Sequence, residues 1–178
     1  SDLRSSGSGS VKWALRSYVE ALIWDLHEPT SFLVSGEDGT VAKYDTRMGG
    51  GSDPVWSIAA HDKACCDLSL CASPRGRGLL ATGSLDKSVK LWNGHTGKFV
   101  SSFFGHVAPV YQVSWSADSR LVCSGSKDST LKVWDLRTKK LRGDLPGHED
   151  EVFAVDWCGT GAFVASGGRD RCLKLWRH

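Results

Sequence analysis

The sequence predicts an all-β fold made of repeated small sheets, on three observations. A phrase of glycine, charge, β-branched residues and tryptophan recurs every 42 residues, as "GSLDKSVKLWN" at 83–93, "GSKDSTLKVWD" at 125–135 and "GGRDRCLKLWR" at 167–177. Between these copies, apolar and polar residues alternate with period two over short runs bounded by turn residues, which is the pattern of half-buried strands. No segment carries an apolar stripe of helical period. A fixed period of about 20–50 residues is the signature of a repeat architecture, so each copy is expected to be one structural unit.

The elements follow in chain order. Residues 1–10, "SDLRSSGSGS", are rich in Gly and Ser, lack an apolar signal-peptide stretch, and read as a flexible tail. Four repeats are expected after it, at about 11–60, 61–104, 105–146 and 147–178. The first is the weakest copy: "GEDGTVAKYD" at 36–45 ends on Tyr44, 48 residues before Trp92, and the added length falls in the loop "MGGGSDP" at 48–54. The third resolves into strands at 109–116, 120–126, 130–135 and 140–145, with the turns "SADS" and "SKDS" joining the first three. Four short antiparallel strands per repeat make one blade of a β-propeller. Four blades are expected to form a partial or open ring, completed by dimerisation of two arcs in preference to closing as a four-bladed monomer. The last repeat stops at Arg177–His178, after its third strand; residues 11–16, "VKWALR", are the candidate for its outer strand by pairing with 171–176.

Composition narrows the function classes. The chain has 178 residues, 40% hydrophobic, with eight Trp, enough for a globular core. A net charge of +2 makes no case for nucleic acid or an acidic membrane, and no apolar run reaches the length of a membrane span. The six cysteines, Cys65, Cys66, Cys71, Cys123, Cys158 and Cys172, form no CxxC pair, and several replace apolar residues in strand patterns. They read as buried thiols in a reducing compartment rather than disulfides or zinc ligands. "GGG" at 49–51 lacks the Lys-Ser/Thr of a phosphate loop, and "RTKK" and "RGR" are short solvated turns. The six histidines show no metal spacing, so neither metal nor cofactor is expected.

The repeat resembles a known family. Gly105-His106 is followed by Trp134-Asp135, and Gly147-His148 by Trp176-Arg177, both with 28 residues from His to Trp; Ala60-His61 to Trp92-Asn93 is longer by three, which "SPRGRG" accommodates. These dipeptides at this spacing resemble the WD-repeat family. Residues 11–92, with "VKWALRSYVEALIWD", "SGEDGTVAKYDTR" and "AHDKA", look like the periodic tryptophan protein family. Residues 93–178, with "GHVAPVYQVSWSADSR", "SGSKDSTLKVWDLRTKKL" and "LPGHEDEVFAVDW", look like the C-terminal blades of the Notchless family. A seam near Trp92 suggests a natural or engineered fusion through the shared phrase "DKSVKLW". The resemblance implies a non-catalytic scaffold for protein partners of large ribosomal subunit assembly, with pre-ribosomal RNA as a further contact and no membrane. It implies residence in the nucleus and nucleolus; without it, the cytoplasm would be expected. A fusion fragment that has kept no function is the remaining reading.

Two sets of residues are candidate sites. Three repeats each hold a His, a hydroxyl, an Asp and a Trp at fixed offsets: His61, Thr82, Asp86 and Trp92; His106, Ser124, Asp128 and Trp134; His148, Ser166, Asp170 and Trp176. Ser-His-Asp is also the composition of a nucleophilic triad, which makes a hydrolase the alternative function. Recurrence in three repeats favours a structural tetrad, a buried relay from indole N–H to hydroxyl to imidazole to carboxylate, as the family resemblance implies. Repeat one has Ser35 and Asp38 but Tyr44 for the Trp, no Gly-His, and a turn one residue shorter, so its blade should be the least rigid. The resemblance also implies a docking rim, with Ala64 and Cys66, Pro109 and Tyr111, and Glu151 and Phe153 at common offsets from each His. Repeat one supplies Tyr18 and Glu20 there, and the residues before each turn Asp add Glu37, Leu85, Lys127 and Arg169. Tyr111 and Phe153 beside Lys127 and Arg169 are expected to form an aromatic-basic patch for a protein partner, with an acidic peptide or RNA as alternative ligands and packing of the two rings between blades as the bland reading.

Overall fold

A computed structural model describes residues 10–51, 53–72 and 78–177, and its strands form four antiparallel sheets in which consecutive strands are neighbours. Blade one contains β1 (Val19–Trp24), β2 (Ser31–Gly36), β3 (Thr40–Asp45) and β4 (Trp56–Ala59). Blade two contains β5 (Cys65–Leu70), β6 (Leu79–Ser84), β7 (Val89–Asn93) and β8 (Phe99–Phe103). Blade three contains β9 (Val110–Trp115), β10 (Leu121–Ser126), β11 (Thr130–Asp135) and β12 (Lys140–Pro146). Blade four has three strands, β13 (Val152–Trp157), β14 (Phe163–Gly168) and β15 (Leu173–Arg177). Among the described residues the one helical turn is a 3-10 turn at Thr46–Met48, capped by the Asp45 side chain.

The blades pack face to face as part of a propeller, with the first strands β1, β5, β9 and β13 against one another in sequence. Period-two alternation gives every middle strand two apolar faces, and both are used. One face of blade one, with Leu33 and Val41, packs on Leu68, Leu70, Leu80 and Trp92 of blade two. Ala81, Val89 and Leu91 on the opposite face of blade two meet Val113, Trp115, Val122 and Trp134 of blade three. Cys123, Leu131 and Val133 then meet Val155, Trp157 and Val164 of blade four. The core is therefore three layers between blades, and burial of these side chains is the main stabilising term. The other face of blade one holds Phe32, Val34, Ala42 and Tyr44, covered by Trp13 and Leu15.

The strands expected in the third repeat agree with those observed to within one residue at each end. The three added residues of the second repeat fall between β5 and β6, where residues 73–77 lie outside the described residues. Residues 11–16 form no strand in the single chain and do not pair with β15. Instead, Trp13 sets its ring edge-on to Phe32 at 5.3 Å and to Tyr44 at 6.3 Å, so this segment straps the outer part of blade one.

The expected shorter turn of repeat one is corrected by the register. Tyr44 pairs with Phe32 and Ala42 with Val34, as Trp92 pairs with Leu80 and Lys90 with Thr82. The residue after the turn Asp is left-handed in all four blades: Gly39 at φ 80°, Lys87 at 75°, Ser129 at 66° and Arg171 at 61°. The turns are equal in length, and Val34 rather than Ser35 occupies the hydroxyl position. Ser35 points to the other face, where Gly83 and Gly125 stand in the later blades. Glycine is needed at position 39 for space as well as for φ, since a Cβ there would lie 2.2 Å from the His61 carbonyl oxygen.

Candidate functional site

The three His-hydroxyl-Asp-Trp sets have one geometry. His61 Nδ1 lies 2.8 Å from Asp86 Oδ2, its Nε2 lies 2.7 Å from Thr82 Oγ1, and the Trp92 indole N–H donates to Thr82 at 3.1 Å. His106 stands 2.8 Å from both Asp128 and Ser124, with Trp134 donating to Ser124 at 2.8 Å. His148 repeats it at 2.8 Å to Asp170 and 2.7 Å to Ser166, with Trp176 donating to Ser166 at 2.8 Å. The histidine comes from the loop before the first strand, the hydroxyl and Trp from the paired middle strands, and the Asp from the turn between them. Each set therefore ties that turn to the loop before the blade's first strand.

Burial lowers the pKa of His61 and His106, although Asp86 and Asp128 oppose it, so both imidazoles are neutral at pH 7. Burial also works against an ionised Asp86, but hydrogen bonds from Ser88 and His61 outweigh it and hold the carboxyl below its ordinary pKa. Asp128 is lowered in the same way, against burial, by Thr130 and His106. A neutral imidazole donating from Nδ1 to carboxylate accepts at Nε2 from the hydroxyl, which accepts from the indole, so every polar atom of the relay is satisfied. The hydroxyls have hydrogen bonds of the kind a serine nucleophile would have. However, all three are buried, and each oxygen already accepts from a Trp, which leaves no path for a substrate carbonyl.

Blade one replaces this set. The backbone amides of Glu37, Leu85, Lys127 and Arg169 donate to the carbonyls of Tyr18, Ala64, Pro109 and Glu151 at 3.0, 3.0, 2.9 and 2.8 Å, which aligns the four loops. By this alignment Leu15 stands where the other blades have His. Leu15, Val34 and Tyr44 thus exchange the polar relay for an apolar cluster, and Asp38 turns to Thr40, 2.6 Å from its hydroxyl.

The same four amide bonds order the rim residues around one end of the blades. Tyr18 is 80% exposed, and Glu20 and Glu37 are exposed beside it. Leu85 and Pro109 are half-buried, as is Cys66, whose thiol burial and the nearby Glu20 push up to about 11. Tyr111 and Phe153 touch across blades three and four, with ring centroids 5.4 Å apart, while Phe153 stays 49% exposed. The Tyr111 hydroxyl, pushed up to about 12 by burial and Glu151, donates to that carboxylate at 2.9 Å. Glu151 also faces Lys127 at 3.5 Å and Arg169 at 3.4 Å, and Arg169 reaches Asp150 at 3.7 Å. The two cations expected to make a basic patch are therefore paired to an acid between them.

Two groups escaped sequence reasoning. Lys43 stands in the register of Leu91 and Val133, buried between blades, with Nζ 2.7 Å from Asp25 and 2.8 Å from Glu28. His95, from the β7–β8 turn, lies 2.9 Å from Glu28 and His27 reaches the Cys71 carbonyl at 3.0 Å, so the network links blades one and two. Asp25, Glu28 and His95 are close enough to share a metal ion, but the Lys43 ammonium already holds the space between the two carboxylates. A lysine at an apolar register position was the available signal. The second group is Asp67 on β5, whose carboxylate accepts the Val113 amide of blade three at 2.9 Å. Burial raises it to about 6. It lines a cavity of about 580 Å³ among the inner strands, with Gln112, Ser114 and Asp156. Gln112 sits one blade on at the same offset and accepts Val155 N–H at 2.8 Å, and that shared offset could have found both.

The WD domain, G-beta repeat family matches residues 52–93, 97–135 and 139–177, most of the chain. The periodic tryptophan protein 1 homolog of Drosophila melanogaster is 28% identical over 92 residues, covering 52% of this chain and 19% of that protein. The ribosome biogenesis protein WDR12 homolog of Brugia malayi is 32% identical over 101 residues, 55% of this chain and 22% of that protein. The Notchless protein homolog of Arabidopsis thaliana is 70% identical over 37 residues, 21% of this chain and 8% of that protein. Relatives named for other work, peroxisomal targeting among it, match over similar lengths. The chain spans less than a third of the curated relatives it matches.

Proposed function

The chain belongs to the WD domain, G-beta repeat family, and from that premise we propose that it is a non-catalytic scaffold of large ribosomal subunit assembly, working in the nucleolus through protein partners that dock on the blade rim. The observation that carries the docking reading is the rim itself. Four equivalent amide-carbonyl bonds hold Tyr18, Glu20, Glu37, Leu85, Pro109, Tyr111, Lys127, Glu151, Phe153 and Arg169 at one end of the blades, with aromatic rings left open. Aromatic and Arg side chains on a rigid frame are the usual anchors of protein interfaces. Because Glu151 and Asp150 together balance Lys127 and Arg169, the rim suits a protein better than pre-ribosomal RNA, whose binding needs unpaired cations. The ribosomal part is supported by the likeness to the periodic tryptophan and Notchless homologs and to the protein named for ribosome biogenesis. We take the seam near Trp92 as a join between two such repeats, and the His-hydroxyl-Asp sets as structure rather than hydrolase chemistry.

The test is affinity capture from nucleolar extract with the chain, a Tyr18→Ser/Phe153→Ser double variant, and a Lys139→Ala control. Large-subunit assembly factors should be enriched with the chain and the control and fall to background with the double variant, at unchanged circular dichroism. Equal recovery with all three would move docking off this rim, and absence of assembly factors from every capture would overturn the ribosomal assignment.

A further inference from the structure

At the end of the blades opposite the rim lie the turns that join each first strand to the second and each third strand to the fourth. In blade three these two turns border a cavity of about 580 Å³ lined by Ser119, Arg120, Asp135, Leu136, Arg137 and Arg142. Three arginines thus meet one acid, in a chain whose net charge is only +2. Both faces of blade three are packed, against blade two and blade four, and these turns stand at its end. Residues of this chain alone build the cavity, and blades added beyond one or four would not cover it.

The frame of the cavity is fixed by hydrogen bonds. Asp118 accepts the Ser116 hydroxyl at 2.7 Å and the Arg120 amide at 3.1 Å, and Asp135 accepts the Thr138 amide at 2.8 Å. The Leu136 amide donates to the Arg120 carbonyl at 3.1 Å, which joins one turn to the other. Leu141 stands opposite Trp134 and Gly143 opposite Val133, so Arg142 is the extra residue of a β-bulge, a device that re-aims a side chain. The arginines themselves are loosely held. Arg120 Nε lies 3.6 Å from Asp118 and Arg142 Nη1 3.8 Å from Asp135, both beyond hydrogen-bond length, and Arg137 makes no ion pair among the described residues.

The other blades build the same frame without these side chains. The carbonyl that joins the two turns belongs to Thr30 in blade one and Gly78 in blade two, at 2.8 Å in each, where blade three has Arg120. The bulged residue of blade two is Val100, where blade three has Arg142. The counterparts of Arg137 are Arg47, bound to Asp45 at 2.5 Å, and His95, bound to Glu28 at 2.9 Å. The repeat therefore does not need arginine at these positions, and its convergence in blade three points to a ligand.

We propose that this cavity binds the phosphate of a phosphorylated serine or threonine in a partner protein. Guanidinium groups present paired donors that match phosphate oxygens, and a cluster of them is a recurring reader of phosphorylated motifs. Three cations against the Asp135 carboxylate leave an excess of two positive charges. That excess matches the roughly −1.5 to −2 of a phosphate monoester better than the single charge of a glutamate. The Ser119 hydroxyl adds a neutral donor to the same wall. Single-stranded RNA would call for a cationic track and open aromatic rings, and the lining has no aromatic residue. The inference rests neither on the rim nor on the ribosomal assignment.

A peptide array tests it. Phosphoserine and phosphothreonine peptides with randomised flanks, printed beside their unphosphorylated counterparts, are probed with the labelled full chain. The phosphorylated spots should retain the chain and the counterparts should not. The best phosphopeptide is then titrated with the parent, Arg120→Thr, Arg137→Ala, Arg142→Val and Lys139→Ala, a residue of the same turn outside the cavity. Each arginine variant should bind about tenfold more weakly, at unchanged circular dichroism, and Lys139→Ala should match the parent. Thr and Val stand at these positions in other blades, and Arg137→Ala breaks no ion pair, so the fold should tolerate all three. Failure to prefer phosphorylated spots would overturn the proposal, as would a preference that survives the arginine substitutions or a loss that Lys139→Ala shares. Oligouridine bound more tightly than any phosphopeptide, and lost with the same substitutions, would overturn it in favour of an RNA backbone.

Discussion

Asp67→Asn should stabilise this protein at neutral pH and leave it unchanged in acid. Asp67 sits between the inner strands of blades two and three, and burial holds its carboxyl at about 6, against an ordinary value of 3.8. The folded state therefore binds this proton more tightly than the unfolded chain. Stability from this group is fully present below the unfolded value, falls as pH rises through the folded one, and levels off above it. A shift of about two units is worth roughly 3 kcal/mol between these limits, an upper figure because the group borders a solvent-accessible cavity. Asn keeps an oxygen for the Val113 amide and removes the ionisation. Urea denaturation of both proteins at pH 5, 6, 7 and 8 should show the gap in favour of Asn widening by about 1–2 kcal/mol over that range. A gap that stays constant with pH would refute the assignment of a strained carboxylate at this junction.

Two further substitutions test the remaining interior groups. Asp128→Ala leaves the buried His106 Nδ1–H without its acceptor and should lower stability by roughly 1–3 kcal/mol, read as a fall in the urea midpoint that Lys139→Ala does not share. Lys43→Ala strands the buried Asp25 carboxylate and should cost about 3–5 kcal/mol, whereas Lys43→Met with Asp25→Asn should recover most of it; a single variant as stable as the parent would mean that the network contributes nothing.

The sequence by itself determined the repeat, the strand order and the composition of the three tetrads, because each is a local pattern. Strand alternation, turn residues and a His-to-Trp spacing of 28 are properties of one blade, readable without knowing what the blade touches. Blade one shows where this stops. Taking the nearest hydroxyl selected Ser35, three residues before Asp38 where the other blades have four, but strand register turns Ser35 to the opposite face and puts Val34 in its place, since a one-residue shift exchanges the two faces of a strand. The rim charges show it again. Lys127 and Arg169 look basic as letters, yet their distance to Glu151 depends on how blades three and four sit together. Lys43, Asp25, Glu28 and His95 are separated by up to 70 residues and meet at a junction between blades, as do Asp67 and Val113. Only the tertiary structure decided these, because the field and the solvent at a charged group are set by the neighbouring blade and not by its own strand.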